Sequence, residues 1–366
     1  MIQENKPRIL NIVDNRWWSG TAYFAIHTTK ALQDAGLTSA VVGDHQTLAI
    51  KKAKELNLNV LSGFNPRTTN PLKYFSELSR LLNLIKKGGY THLIPHGPPS
   101  HFWAARAKNK LGDKIKVIRA LSDDMPPKVN IVSKGIYKRY TDSFIASSES
   151  LVKTFSMAFD IPQSEFKSLL GPLDMTKFQI NSNSGSEVNE QVIFGLIARF
   201  SPVKGHSVFL KAAALALKSN SNLRFLISGE EIQISKSDLR DISDKLGISD
   251  SVQILDNFTD VYDVLSKIDV GVIPSIFSEV ICRIGMEFMA SGKPVIASDV
   301  NVLPEMVIHE ESGLIFNSED EVALANAILK LAADKEFRKK YGIAGRRRAE
   351  ELFSIEKFAE RLISIL

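Results

Sequence analysis

Residues 278–305 read SEVICRIGMEFMASGKPVIASDVNVLPE, and the fold of the chain is decided there. Two carboxylates, Glu279 and Glu287, have seven residues between them. Glu287 sits among Ile284, Phe288 and Met289, a helical spacing that stops at Gly292, with Pro294 beyond it. Glycine past the last turn followed by proline marks a helix C-terminus. Residues 294–297 (PVIA) then read as a buried strand that exits at Ser298-Asp299, and residues 270–274 (VGVIP) read as another. Strand, acidic loop, helix, strand is a βαβ unit. It puts one acid at the carboxyl end of the first strand and the other in the helix. Ligands of open parallel sheets lie beyond those strand ends, beside helix N-termini. Carboxylates accept hydrogen bonds from hydroxyl groups, so sugars and ribose suit this position.

A second element lies upstream. Residues 192–197 (VIFGLI) read as a strand, 198–205 (ARFSPVKG) as a loop and 206–219 (HSVFLKAAALALKS) as a helix. Arg199 and Lys204 stand at the end of that strand, beside a glycine and a helix start. A fork-shaped donor, a fixed cation and free backbone N–H groups together suit a pyrophosphate.

The two elements resemble the E-x7-E and G-R-x4-K-G signatures of retaining, nucleotide-sugar-dependent glycosyltransferases of the glycogen-synthase and mannosyltransferase type, glycosyltransferase family 4 (group 1). Ala198 stands in the usual glycine place, and Val280 and Cys282 stand where small residues are usual. The resemblance implies an α/β chain of the GT-B fold, with two facing Rossmann-like domains, parallel sheets and a cleft between them. It implies that Arg199 and Lys204 hold the diphosphate and offset the charge that grows on it as the glycosidic bond breaks. Glu279 would bond hydroxyls of the donor sugar and Glu287 those of the ribose. Cys282 and Arg283 would line the same donor site, with Gly229 and Glu230 where the family turns toward the base. The implied donor is a nucleotide-diphosphate sugar, with no cofactor and no metal. A pair of acids seven residues apart does not by itself place both carboxyls astride one bond, as a hydrolase needs. A GT-B epimerase and a non-catalytic sugar-nucleotide binder are the alternatives.

At 366 residues, two domains are expected. We place them at 1–180 and 181–352, with a C-terminal helix at about 353–366 returning to the first; residues 171–190 are Ser/Asn-rich and read as the linker. One cysteine excludes a disulfide framework. We find no signal peptide and no run long enough to span a membrane. Residues 1–180 hold 25 Lys and Arg against 14 Asp and Glu, whereas 181–366 hold 21 against 27. A basic half predicts an anionic partner. We expect a cytoplasmic protein that attaches peripherally to the inner membrane face through Lys128–Arg139, with a glycan or glycolipid acceptor and no nucleic acid.

The first half opens with the strand at 8–13 (RILNIV), a loop and a helix at 22–36. The loop holds Trp17, Trp18 and Gly20 but lacks G-x-G-x-x-G, so a dinucleotide fingerprint is absent. Gly20 fits the cleft-facing loop of the resembled family. Trp17 and Trp18 suit either stacking on an acceptor sugar or core packing. Helical spacing covers 48–60 and 72–87; strands are expected at 90–95, 114–119 and 142–147, and helices at 101–112 and through Lys128–Arg139. His92, His96 and His101 invite a metal reading, but their spacing crosses a strand, a turn and a helix start with no flanking Cys or carboxylate. His96 is singled out because it ends a strand. Ser122 and Asp123 occupy the place where many members of the resembled family carry a histidine beside the donor sugar. Asp123 either bonds the acceptor or leaving group or caps a turn. Lys339, Lys340 and Arg346–Arg348 read as a solvated face.

Overall fold

The computed structural model describes residues 6–68, 70–122, 126–178, 191–256 and 260–366. They form two compact units, one of residues 1–173 and 352–366, the other of 174–351. Each is an open, parallel, Rossmann-like sheet with helices on its faces.

In the first unit the chain runs β1 (Arg8–Val13), α1 (Gly20–Asp34), β2 (Thr38–Gly43), α2 (Leu48–Glu55), β3 (Val60–Leu61), α3 (Tyr74–Gly88), β4 (His92–Pro95), α4 (Pro98–Leu111), β5 (Lys116–Leu121), α5 (Ile131–Arg139), β6 (Ser143–Ala146), α6 (Glu149–Phe159) and β7 (Phe166–Ser168). The strand order is β3-β2-β1-β4-β5-β6-β7, so the chain reverses direction across the sheet between β1 and β4. The strands are near-continuous apolar runs because helices cover both faces. One face packs Leu78, Leu81 and Ile85 of α3 and Trp103, Ala104 and Ala107 of α4 onto Leu10 and Ile12. The other packs Ala22, Ala25 and Ile26 of α1 and Ala49, Ile50 and Ala53 of α2 onto Val13 and Val41.

The second unit runs β8 (Ile193–Ile197), α7 (His206–Ser219), β9 (Arg224–Gly229), α8 (Lys236–Lys245), β10 (Val252–Asp256), α9 (Val261–Leu265), β11 (Val270–Ile273), α10 (Arg283–Ala290), β12 (Val295–Ser298), α11 (Leu303–Met306), β13 (Gly313–Phe316), α12 (Glu321–Ala333) and α13 (Lys335–Leu352), in the order β10-β9-β8-β11-β12-β13. Its core joins Phe194, Phe209 and Phe225 to Leu324, Ile328 and Leu331 of α12. The last helix, α14 (Ile355–Ile363), belongs to the first unit, where Phe358 meets Phe24 of α1 edge-on at 5.6 Å.

Several elements differ from expectation for local reasons. α2 ends at Glu55 rather than near 60 because Asn57 takes a left-handed φ of 55°. α4 starts at Pro98, not His101: proline in the first turn has no N–H to lose and its φ is already helical. The single turn at Gly112–Lys114 delays β5, which then runs to Leu121. Lys128 precedes α5, whose N-cap is Asn130. Helical spacing over 260–269 predicts a longer α9 than the one observed, which stops at Leu265. The strand β7 has three residues and the helix α8 is mostly polar, burying Leu239 and Ser243, so neither stands out as an apolar run. Arg346 and Arg348 are not solvated: Arg346 donates to the carbonyls of Phe178 and Ala290, and Arg348 to those of Met306 and Glu305. Only Arg347 of that triplet is largely exposed.

Candidate active site

The candidate site is built at the carboxyl ends of β8 and β11 in the second unit. The strand β8 delivers Arg199 and Lys204, and β11 delivers Ser275 and Glu279. The two loops are stitched together, since the N–H of Ile276 donates to the Val203 carbonyl at 2.9 Å. Gly205 takes a φ of 71°, and its α-carbon lies so close to the Pro274 carbonyl that a Cβ would overlap it. This close approach lets the Lys204 ammonium reach across and pair with Glu279.

Glu279 is buried and held from three sides. Lys204 binds one carboxylate oxygen, the Ser275 hydroxyl donates to the same oxygen at 2.8 Å, and the Asn301 side chain accepts from the Glu279 N–H at 3.0 Å. Asn301 has a left-handed φ of 46°, which asparagine tolerates better than most residues. Ser275 is itself placed by Ser298, whose hydroxyl donates to its carbonyl at 2.6 Å. Ser275 and Asn301 went unremarked in the sequence. The register Ile273↔Ala297 of β11 on β12 brings their loops together, and no linear motif reports it.

Arg199 lies in the same loop as Lys204 but is exposed, with no ion-pair partner among the described residues. Helix α7 has Gly205 as its N-cap, which offers no capping side chain, so the first N–H groups of the helix have no side-chain acceptor. His206 follows, buried against Phe200. Burial lowers its pKa to about 4, with the nearby Lys204 charge acting in the same direction and a Ser201 backbone group opposing it. It is therefore neutral at physiological pH and leaves the two cations as the local positive charge.

Glu287, in the second turn of α10, is buried and accepts from Arg283 Nε at 2.7 Å. Burial pushes its carboxyl above the ordinary range and Arg283 counters this. Tyr262 stands close enough that burial, with the Glu287 charge added, raises its phenol to about 12. Cys282 is buried beside Glu279. Burial first and then Glu279 push its thiol well up, so it is an uncharged packing group. Gly229 ends β9 against the Ala198 carbonyl, which a Cβ would overlap, and Glu230 is exposed beside it.

The first unit separates its sequence-predicted residues. Gly20 is the first residue of α1, capped by Ser19. Trp18 meets Tyr23 edge-on at 6.1 Å, while Trp17 is 70% exposed. His96 is fully buried, pairs with Asn11 at 3.0 Å, and is held at a pKa of about 3 by burial and then by Arg119. His92 and His101 bond Leu366 and Thr141 instead, so the three histidines share no focus. Asp123 lies outside the described residues; the neighbouring Ser122 is buried and its carbonyl accepts from Thr21 at 2.8 Å. Among the described residues no group of three or more His, Cys, Asp or Glu is arranged to hold a metal ion.

Residues 177–348, which contain every element of this site, match the family model "Glycosyl transferases group 1". The chain carries a group 1 glycosyltransferase domain. It is a transferase enzyme, and relatives named as glycosyltransferases agree. A D-inositol 3-phosphate glycosyltransferase of Saccharomonospora viridis is 24% identical over 312 residues, covering 77% of this chain and 71% of its own. The capsular polysaccharide biosynthesis glycosyltransferase CapM of Staphylococcus aureus is 26% identical over 200 residues, 53% of this chain and 52% of that one. The solved structure of Anabaena HepE in complex with UDP superposes with a TM-score of 0.84 at 17% identity, covering 98% of this chain and 99% of that one. That likeness shows the glycosyltransferase's fold to be GT-B.

Proposed function

We propose that this glycosyltransferase moves a sugar from a nucleotide diphosphate to a glycan or lipid-linked acceptor, with retention of anomeric configuration and without a metal ion. Within family 4, we assign it to cell-envelope polysaccharide or lipopolysaccharide assembly, as a cytoplasmic enzyme that works peripherally at the inner membrane face. The observation that carries the reading is the juxtaposition of Lys204, ion-paired to a buried Glu279, with an exposed Arg199 and the uncapped start of α7. A departing diphosphate needs fixed positive charge and free N–H donors where its negative charge grows. The two cations supply that charge, the role that Mg2+ plays elsewhere. Glu279 is oriented by Ser275 and Asn301 to accept from sugar hydroxyls, and Glu287 by Arg283 to accept from ribose. The UDP held by HepE supports a uridine donor, and the name of CapM supports a polysaccharide product.

The test is mass-spectrometric screening of UDP-, GDP- and ADP-sugars against a crude glycolipid pool, in the presence of a chelator. A mass shift of one sugar on an acceptor, undiminished by chelation, is expected. Neither transfer nor donor hydrolysis with any donor would leave a non-catalytic nucleotide binder as the better account.

A further inference from the structure

In the first unit, the loop after β3 and the starts of α3 and α4 surround a cavity of about 370 Å³. Sites that take small molecules occupy roughly 300–1,000 Å³. The cavity opens at the carboxyl edge of the parallel sheet, the edge on which ligands of such sheets bind. It is braced open rather than left over from loose packing. Asp14, just past β1, joins its two sides: the Asp14 carboxylate accepts from the Ser100 N–H of α4 at 2.7 Å, and the Asp14 carbonyl accepts from Arg67 of the loop at 2.8 Å. The Trp103 indole N–H donates to the Pro66 carbonyl at 3.0 Å, and the buried Glu77 accepts from the Asn65 N–H at 3.1 Å. The aromatic walls are fixed as well. Tyr74 stacks on buried Trp103 at 5.4 Å, and Arg106 lies over the Phe102 ring at 4.9 Å. Neither ring can turn into the space without giving up its support.

The lining selects the chemistry of an occupant. Tyr74 and Phe102 are half-buried, so each ring keeps an open part. A pyranose has an apolar face of C–H groups that packs on such rings, and a rim of hydroxyls that needs donors and acceptors. The Thr68 hydroxyl and the Asn70 amide N–H groups stand at the cavity to meet that rim, with no hydrogen bond of their own among the described residues. Arg67 is the one charged side chain in the lining among the described residues. Its guanidinium bonds the Asp14 carbonyl and no other group described, which leaves most of its donor fork open. Residues 62–76 hold no carboxylate to neutralise it, and the next acid, Glu77, is buried and pairs with Arg80 at 2.6 Å. An open guanidinium fork at the mouth of an aromatic cavity matches an oxyanion carried on a sugar ring. We propose that this cavity is a glycan subsite for an acidic sugar, with the ring against Tyr74 and Phe102 and its carboxylate or phosphate on Arg67. Such a subsite rests on the reading of a glycan acceptor and narrows it to chains that carry an anionic sugar.

The test titrates the full chain with methyl glucuronide, methyl glucoside 6-phosphate, neutral methyl glucoside and inorganic phosphate, and follows the NMR signal of the Trp103 indole N–H, which lies in the cavity wall. At least one charged glycoside is expected to shift that signal and to bind about 10-fold or more tighter than the neutral one. Whichever of the two binds tighter identifies the oxyanion as carboxylate or phosphate. Arg67→Gln should abolish the preference while the neutral glycoside binds as before, which shows the cavity intact. Arg67→Lys should keep part of the preference. Phe102→Ala should weaken all the glycosides, and Leu72→Ala, beside the cavity but not in its lining, should change nothing. UDP, titrated into the same samples, should bind alike in every variant, so failure of the donor site is separable from failure of the subsite. Glycoside binding without any sugar transfer would leave the subsite standing and remove the acceptor reading. No shift with any glycoside, inorganic phosphate binding as tightly as the charged glycosides, or a preference that survives in Arg67→Gln would overturn the proposal.

Discussion

Arg199→Ala is expected to lower turnover at least about 100-fold while leaving the melting temperature unchanged. The side chain is exposed and has no ion-pair partner among the described residues, so little of the folded state depends on it. Its role begins only when negative charge accumulates on the leaving diphosphate. Lys204→Ala should cost a similar factor in turnover, but with a second effect. Glu279 is 6% exposed, and the substitution would leave its charge buried without the cation that balances it. Breaking such a pair from one side costs about 3–5 kcal/mol. Lys204→Ala should therefore melt earlier than the parent as well as turn over slowly, and Lys204→Ala with Glu279→Gln should recover melting temperature but not turnover. Kinetics and calorimetry on the set separate the two contributions. Near-normal turnover in Arg199→Ala would mean that the leaving group is stabilised elsewhere.

Gly205→Ala is expected to be the most damaging single-methyl change in the second unit, destabilising by on the order of 3 kcal/mol and abolishing measurable transfer. Two penalties combine. The residue has a φ of 71°, which costs a side-chain-bearing residue about 1–2 kcal/mol. The added Cβ would also overlap the Pro274 carbonyl, a backbone atom at the end of a core strand that cannot swing aside. Gly247→Ala is the internal control. Its φ is 68° but nothing lies within 4 Å of a Cβ there, so only the first penalty applies. The difference in unfolding free energy between the two variants measures the contact of the Lys204 loop with β11. Equal destabilisation would mean that the contact does not matter. Transfer fails in Gly205→Ala because the loop that is pushed off Pro274 takes Lys204 away from Glu279.

The sequence made the second unit readable because its signals are local. Buried parallel strands are continuous apolar runs, as in residues 193–197 and 270–273, and cationic or acidic residues at their carboxyl ends are visible without knowing the pairing. The fine orientation of Glu279 was not readable, because Ser275 and Asn301 meet it only through the pairing of β11 with β12. Charge runs misled for a related reason. Arg346 and Arg348 read as solvated, yet both bond carbonyls at element ends that approach only in the folded unit. Boundaries shifted wherever one residue's backbone conformation decided them, as at Asn57 and at Pro98. In the first unit, His96 was conspicuous in sequence because it ends a strand, and the fold explains it as a buried neutral partner of Asn11.

The central claim is that four side chains of the second unit hold the donor. A crystal structure of the chain with UDP or an unhydrolysed UDP-sugar tests it most directly. The account predicts the diphosphate against Arg199, Lys204 and the first N–H groups of α7, with ribose on Glu287 and the sugar side toward Glu279. A nucleotide bound with its phosphates away from Arg199 and Lys204 would contradict it.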